Sequence, residues 1–267
     1  EGIFRALDLN KVGVALDVEN NFAFDIDAIK NAVTATTKLV FVNTPGNPAG
    51  NIISGPDLEA LAHYCRERNI WLVCDEVYSM LTFEEKHVSL RKAASELDNV
   101  IIIDGLSKSH AMSGWRLGWV VASRSVTDHL LDFTSSVIFG CCQFVQDAAA
   151  FALTNDEEYI NGVREEYCQR RNYVCERVAN ISGISCGVPK AGMFVMINVA
   201  ALDIDGLQFA QQLLDEQGVS VLPGVGFGEC TAGYVRVSLA QPINILRPAF
   251  DRIELFLAQG IKPTNPR

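Results

Sequence analysis

The 267-residue sequence has no run of 18 apolar residues, no C-x-x-C pair, no internal repeat and no low-complexity segment. The first absence excludes an ordinary spanning helix, which needs about 20 predominantly apolar residues. The second removes metal-ligand spacing of the zinc-ribbon kind, although the chain has eight cysteines. Several of those cysteines fall on apolar faces, where thiols act as small hydrophobes, so a reduced, cytoplasmic setting is expected. Basic residues are also few. Lys and Arg number 22 against 32 Asp and Glu, a formal net charge of −10, which argues against a nucleic-acid or anionic-membrane partner. No signal-peptide architecture is found, and residues 1–9, without a methionine, read as the end of a helix already under way, the pattern of a fragment.

What remains is an ordinary globular composition, 49% hydrophobic and 20% charged, long enough for a sizeable core. Two periodicities alternate along it. Residues 12–18, 38–43, 70–74, 100–103 and 118–122 read as strands, the last antiparallel because only a short loop precedes it. Residues 25–33 and 54–69 read as helices, the second with Ser54 as N-cap and Pro56 in its first turn. This alternation of strand and helix predicts an α/β fold, a mostly parallel sheet with helices on both faces. Past Arg124 the texture changes. Helices are predicted at 127–136, 142–154, 157–179 and 207–217, and short strands within 184–199, at 219–222 and at 234–239, with a last helix from about Ile243. This is the pattern of a smaller α+β domain, and the division is set at 1–165 and 166–267.

Three strand ends carry polar residues. The run KLVFVN ends in the turn TPGNPAG, which holds Asn47; the run IWLVC ends in Asp75-Glu76-Val77-Tyr78; the run VIII is followed by Lys108 and, eight residues on, Arg116. In open α/β sheets, ligands bind beyond the carboxyl ends of the strands. An acid at the end of an apolar run either caps a helix or meets a buried cation. A lysine amine, a carboxylate, a phenol, an asparagine amide and an arginine suit pyridoxal phosphate. Its aldehyde condenses with an amine, its ring nitrogen needs an anion and its phosphate a cation.

These motifs resemble the class I/II aminotransferases of the aspartate aminotransferase fold, fold type I of the pyridoxal-phosphate enzymes. NTPGNPAG is similar to the family's N-P-x-N-P-[TA]-G turn, departing from it at Thr44; CDEVY to its D-E-x-Y; SKSHAMSGWRLG to its S-K-x-x-x-M-x-G-x-R-x-G; and YVRVSLA to its Y-[VI]-R-[IV]-S-[FL]-A. The resemblance covers essentially the whole chain. It implies Lys108 as the Schiff-base lysine, Asp75 at the pyridinium nitrogen, Tyr78 and Asn47 at the ring oxygen, Arg116 at the phosphate and Arg236, with Asn47, at the substrate carboxylate. It implies an amino acid and a 2-oxo acid as substrates, and a homodimer. Lyases or decarboxylases of the same fold, and cofactor-sensing domains of transcriptional regulators, are the alternatives. The stretch 140–153 and the Lys108 segment are similar to enzymes acting on basic or large neutral amino acids. Two departures stand out. Gly105 occupies a position where many relatives carry a phosphate-binding serine, and the portion preceding Glu1 in longer relatives holds a phosphate loop and a ring-stacking aromatic.

Overall fold

A computed structural model of the chain describes residues 2–261. Helices α1 (Gly2–Ala6) and α2 (Ile26–Ala32) precede strand β1 (Leu39–Asn43), followed by α3 (Gly55–Glu67), β2 (Trp71–Asp75), α4 (Leu90–Ala93), β3 (Val100–Gly105) and β4 (Gly118–Val121). Short side chains start the helices. Asp25 accepts the Asp27 and Ala28 N–H groups to begin α2, and Ser54 accepts the Asp57 N–H to begin α3. The strands lie in the order β1-β2-β3-β4, the first three parallel and β4 antiparallel to β3. The alternation of side chains then sorts the sheet into two faces. Val42, Leu72, Cys74, Val100 and Ile102 pack under Leu58, Leu61 and Cys65 of α3 and Leu90 of α4. Each fully buried leucine there is worth about 2 kcal/mol against exposure. On the opposite face Phe41, Trp71, Ile103 and Val120 are 37–50% exposed.

Three helices follow: α5 (Arg124–Val137), α6 (Gln143–Thr154) and the 23-residue α7 (Glu157–Ala179). Beyond them come β5 (Ser185–Cys186), β6 (Phe194–Asn198), α8 (Gly206–Gln217), β7 (Leu222–Pro223), β8 (Tyr234–Ser238) and α9 (Ile243–Gln259). These four strands form a second sheet, antiparallel throughout, in the order β5-β6-β8-β7. Val174 and Val178 of α7, Phe209 and Leu213 of α8 and Phe250, Ile253 and Phe256 of α9 close one core with Val195, Ile197, Val235 and Val237.

The two sheets meet along a hydrogen-bonded seam. The Phe83 N–H donates to the Lys190 carbonyl and the Gly192 N–H to the Leu81 carbonyl, around a bridge between Thr82 and Ala191. Arg171 of α7 reinforces it with a pair of bonds to Glu84 and one to the Pro189 carbonyl.

The α/β architecture with a mostly parallel sheet agrees with the pattern of the sequence, and two strand expectations are corrected. Residues 12–18 form no strand; the alternation of Val12, Val14, Leu16 and Val18 supplies faces but no ladder partner, and only Asp17 bridges Ala23. The strand expected at 219–222 is instead the two-residue β7, shifted to Leu222–Pro223.

Candidate active site

Parallel pairing puts Asn43 of β1 beside Asp75 of β2 and Asp75 beside Ile103 of β3, so the carboxyl ends of the three strands share one edge. Beyond that edge lies a cavity of about 440 Å³, lined by Asp75, Asp104, Ser107, Lys108, Ser113 and Arg116 among others. Three of the expected residues, Asp75, Lys108 and Arg116, therefore open into one space. Burial pushes the Asp75 carboxyl up from its ordinary value, with the Val77 N–H at 3.1 Å and the Lys108 charge pulling it back. It is a carboxylate short of positive charge. Lys108 is half-buried, and Arg116 is exposed with its guanidinium donating to the Ser113 carbonyl at 2.6 Å.

The backbone around the lysine is tightly built. Arg116 has φ 55°, a left-handed conformation uncommon for a residue with a side chain. Gly105 pairs with Gly118 at the end of β3 and β4. A β-carbon at 105 would stand 3.1 Å from both the Gly118 Cα and the Leu117 carbonyl oxygen, so this position closes the strand pair without a side chain.

The other three expected residues gather at the seam. Arg236 of β8 donates to Asn47 Oδ1 at 2.8 Å and lies against two rings, its Cζ 3.8 Å from the centre of Phe194 and 4.8 Å from that of Phe227. Tyr78, buried, meets Phe194 edge-on at 6.3 Å. Burial pushes the Tyr78 phenol up to about 12 against the pull of Arg236, and burial lowers Arg236 in turn.

A hydrogen-bond chain joins the two groups. The Asn43 side chain donates to the Asp75 carbonyl at 3.0 Å and accepts the Asn47 N–H at 2.7 Å, and Asn47 accepts Arg236. Reading of the sequence passed over Asn43 as a site residue; its signal was a polar residue ending an apolar run at the same depth as Asp75. It also passed over Asp104, which the end of VIIID marks in the same way. Asp104 accepts from the Gly105 N–H and the Ser79 hydroxyl, and burial pushes its carboxyl up to about 6. The ring pair around Arg236 had no local signal.

Glu76, next to Asp75, points away into structure. Burial alone would raise its carboxyl, yet His87, the Leu90 N–H and Ser89 outweigh it and hold it below its ordinary value. A further cavity of about 480 Å³, lined by Thr82, His87, Asp156 and Arg164 among others, contains neither Lys108 nor Arg236 in its walls. Among the described residues no cluster of His, Cys, Asp or Glu could hold a metal ion.

A lysine, a carboxylate and an arginine in one crevice, with a second arginine presented from a neighbouring sheet, is an arrangement that can be compared with known proteins. The family model for aminotransferase class I and II matches residues 1–253. The chain belongs to the class I and II aminotransferases. It is 37% identical over 259 residues to arginine–pyruvate transaminase AruH of Pseudomonas aeruginosa, covering 97% of this chain and 66% of that one. It is 33% identical over 238 residues to a probable N-acetyl-LL-diaminopimelate aminotransferase of Bacillus subtilis, covering 89% and 60%. Among solved structures, an aromatic aminotransferase from Pyrococcus horikoshii superposes with TM-score 0.89 at 30% identity, over 93% of this chain and 67% of that one. Aspartate aminotransferase from Thermus thermophilus with maleate gives 0.86 at 31%, over 92% and 63%. The chain thus spans about two thirds or less of the length of the aminotransferases in the curated set just named.

Proposed function

We propose that the protein carrying this chain is a pyridoxal-phosphate-dependent aminotransferase that moves an amino group from an α-amino acid to a 2-oxo acid. The observation that carries the reading is the Asp75–Lys108–Arg116 crevice joined through Asn43 and Asn47 to Arg236. Residues 1–165 would form the cofactor-binding part and 166–267 the smaller part that presents Arg236.

The residues fit the cofactor. Asp75, raised by burial and short of positive charge, suits a protonated ring nitrogen. Arg116 would take the phosphate, Tyr78 and Asn47 the ring oxygen, and Lys108 the aldehyde carbon. When bound, the cofactor supplies an electron sink for the bond broken at the substrate α-carbon. Lys108 Nζ is the base for the α-proton. Arg236, with its Cζ close to the rings of Phe194 and Phe227, offers a planar fork for the α-carboxylate, and Asn47 holds the fork in place. The two rings also limit its swing, so little side-chain freedom is lost when the carboxylate docks.

A donor among the basic or large neutral amino acids is supported by the similarity of residues 140–153 and of the Lys108 segment to enzymes of that kind, and by the likeness to arginine–pyruvate transaminase. We assign the protein to the cytoplasm as a homodimer. The eight free cysteines agree with the first, and the exposed Phe139, Phe144 and Phe151 offer apolar surface for the second. No helix of the described residues is long and apolar enough to cross a membrane.

Borohydride reduction in the presence of pyridoxal phosphate, followed by peptide mapping, should label Lys108, and Lys108→Ala should abolish the label. Label on another lysine overturns the assignment. A panel of donors (arginine, lysine, phenylalanine and aspartate) against pyruvate and 2-oxoglutarate should show transfer. Conversion of the cofactor to its amine form by amino acid alone separates this reading from a lyase or a sensor domain.

A further inference from the structure

The cavity of about 480 Å³ lies between two parts of the chain. The segment after β2 supplies Ser79, Lys86 and His87, and the start of α7 supplies Asp156, Glu157 and Arg164. The two walls are tied where Arg164 Nε donates to the Thr82 carbonyl at 3.0 Å.

Two cations and two acids thus line one space, and they are not matched to each other. Among the described residues no ion pair joins Lys86 or Arg164 to Asp156 or Glu157, and neither the Lys86 nor the Glu157 side chain makes a hydrogen bond. Asp156 precedes α7 without its side chain accepting any of the helix N–H groups, so its carboxylate is not used in capping. The nearest cationic partner it has is His110, with Nε2 3.6 Å from Oδ2, beyond hydrogen-bond range. His87 adds a second sign of an unfilled site. Its side chain is 3% exposed, its Nε2 stands 3.4 Å from Glu76 Oε2, and its Nδ1 has no hydrogen-bond partner. Buried polar atoms in folded proteins almost always have one.

We infer that this cavity is a second binding site, for a zwitterionic α-amino acid, with the carboxylate at Lys86 and Arg164 and the ammonium at Asp156 and Glu157. The mixed lining decides the class of ligand. A simple anion would gain two cations but meet two carboxylates, and a simple cation would meet the reverse. A molecule carrying both charges sets each against its opposite and gains charge-assisted hydrogen bonds at both ends.

The site adjoins the crevice without opening into it. Ser79 in its wall donates to Asp104 at 3.3 Å, and Asp104 lines the crevice. Asp156 faces His110, two residues after Lys108. An amino acid bound here therefore lies one hydrogen bond from the crevice wall. The inference does not rest on transamination, since binding needs no cofactor.

The test is calorimetric titration of the full protein with L-alanine, propionate and ethylamine. Borohydride reduction in the presence of pyridoxal phosphate first prevents the crevice from condensing with an amine. If reduction labels no lysine, the untreated protein is titrated, so the outcome is independent of the cofactor reading. L-alanine should bind, and propionate and ethylamine should each bind about tenfold more weakly or worse, because each leaves one pair of charges unmet. Lys86→Gln and Glu157→Gln remove no bond within the chain, and each should weaken L-alanine about tenfold with circular dichroism unchanged. Arg236→Lys should bind L-alanine as the parent does. Absence of binding, equal binding of the three probes, or undiminished binding in both glutamine variants overturns the inference. Loss of the signal in Arg236→Lys assigns it to the crevice and overturns the inference as well.

Discussion

At the carboxyl edge of β1–β3 the chain leaves Asp75, Asp104 and Lys108 facing a cavity, whereas the antiparallel sheet packs its inner face with Val195, Ile197, Val235 and Val237 and holds Arg236 between two rings. One sheet tolerates carboxylates raised by burial, a cost in stability; the other is closed by interlocking aromatics such as Phe209 and Phe256, 5.6 Å apart and nearly perpendicular. The parallel sheet thus carries carboxyls raised by burial at its open edge, and the antiparallel sheet is the closely packed mount that carries Arg236.

Substitutions should therefore fall into two classes. The largest effect is expected at Asp75→Asn, which on the proposed reading removes the anion for the cofactor's ring nitrogen while keeping the shape. Turnover should drop about a thousandfold, on the order of 4 kcal/mol in the barrier. The melting temperature should hold or rise, since a carboxyl raised by burial weakens the fold when charged. Single-turnover kinetics beside a thermal melt separate the two, and undiminished turnover would reduce Asp75 to a loop cap for Val77.

Phe256→Ala should do the reverse. Removing a fully buried ring from the antiparallel core costs about 3–4 kcal/mol of stability, visible in the denaturation midpoint, while turnover per folded molecule stays near that of the parent. A large fall in turnover at full folding would show that the second sheet does more than hold Arg236.

The same division explains which parts were readable from the sequence. The apolar runs ending at Asn43, Asp75 and Asp104 marked the parallel strands and their carboxyl edge, because a buried strand is apolar along its length and its end is where polar residues can begin. Helix α7 was legible over its full span. Residues 12–18 misled because alternation specifies a face and not a neighbour to bond with. The Asn47–Arg236 bond joins positions 189 apart in sequence, and the Phe194–Phe227 clamp likewise exists only after the two sheets have docked; no local pattern encodes either.

A smaller effect is expected at Arg236→Lys. A point charge on a flexible stem loses the fork, the stacking between rings and the bond to Asn47. All α-amino acid donors should lose about 1.5–3 kcal/mol in kcat/KM. Amines without the α-carboxylate make no use of the fork, so their poor rates should barely move. Equal losses for an amino acid and its matching amine would mean that Arg236 holds the seam together and does not read the carboxylate.

The smallest effect tests the cost assigned to the open edge. Asp104 is pushed up to about 6 by burial, while its unfolded counterpart titrates near the ordinary value of 3.8. Between these values the folded chain holds a proton that the unfolded chain has released, so stability falls as pH rises through this window and stays reduced above it. Asp104→Asn cannot lose that proton, and it keeps one oxygen to accept the Gly105 N–H. It should be more stable than the parent by about 1–2 kcal/mol near neutrality, allowing for solvent screening of a half-buried group. The advantage should shrink as the pH falls below about 6 and vanish only below 3.8, where the parent carboxyl is protonated in both states. Urea denaturation of both proteins across this range gives the difference directly. An advantage that does not change with pH would assign it to packing, and no advantage at neutrality would mean that the Gly105 N–H and the Ser79 hydroxyl already offset the charge.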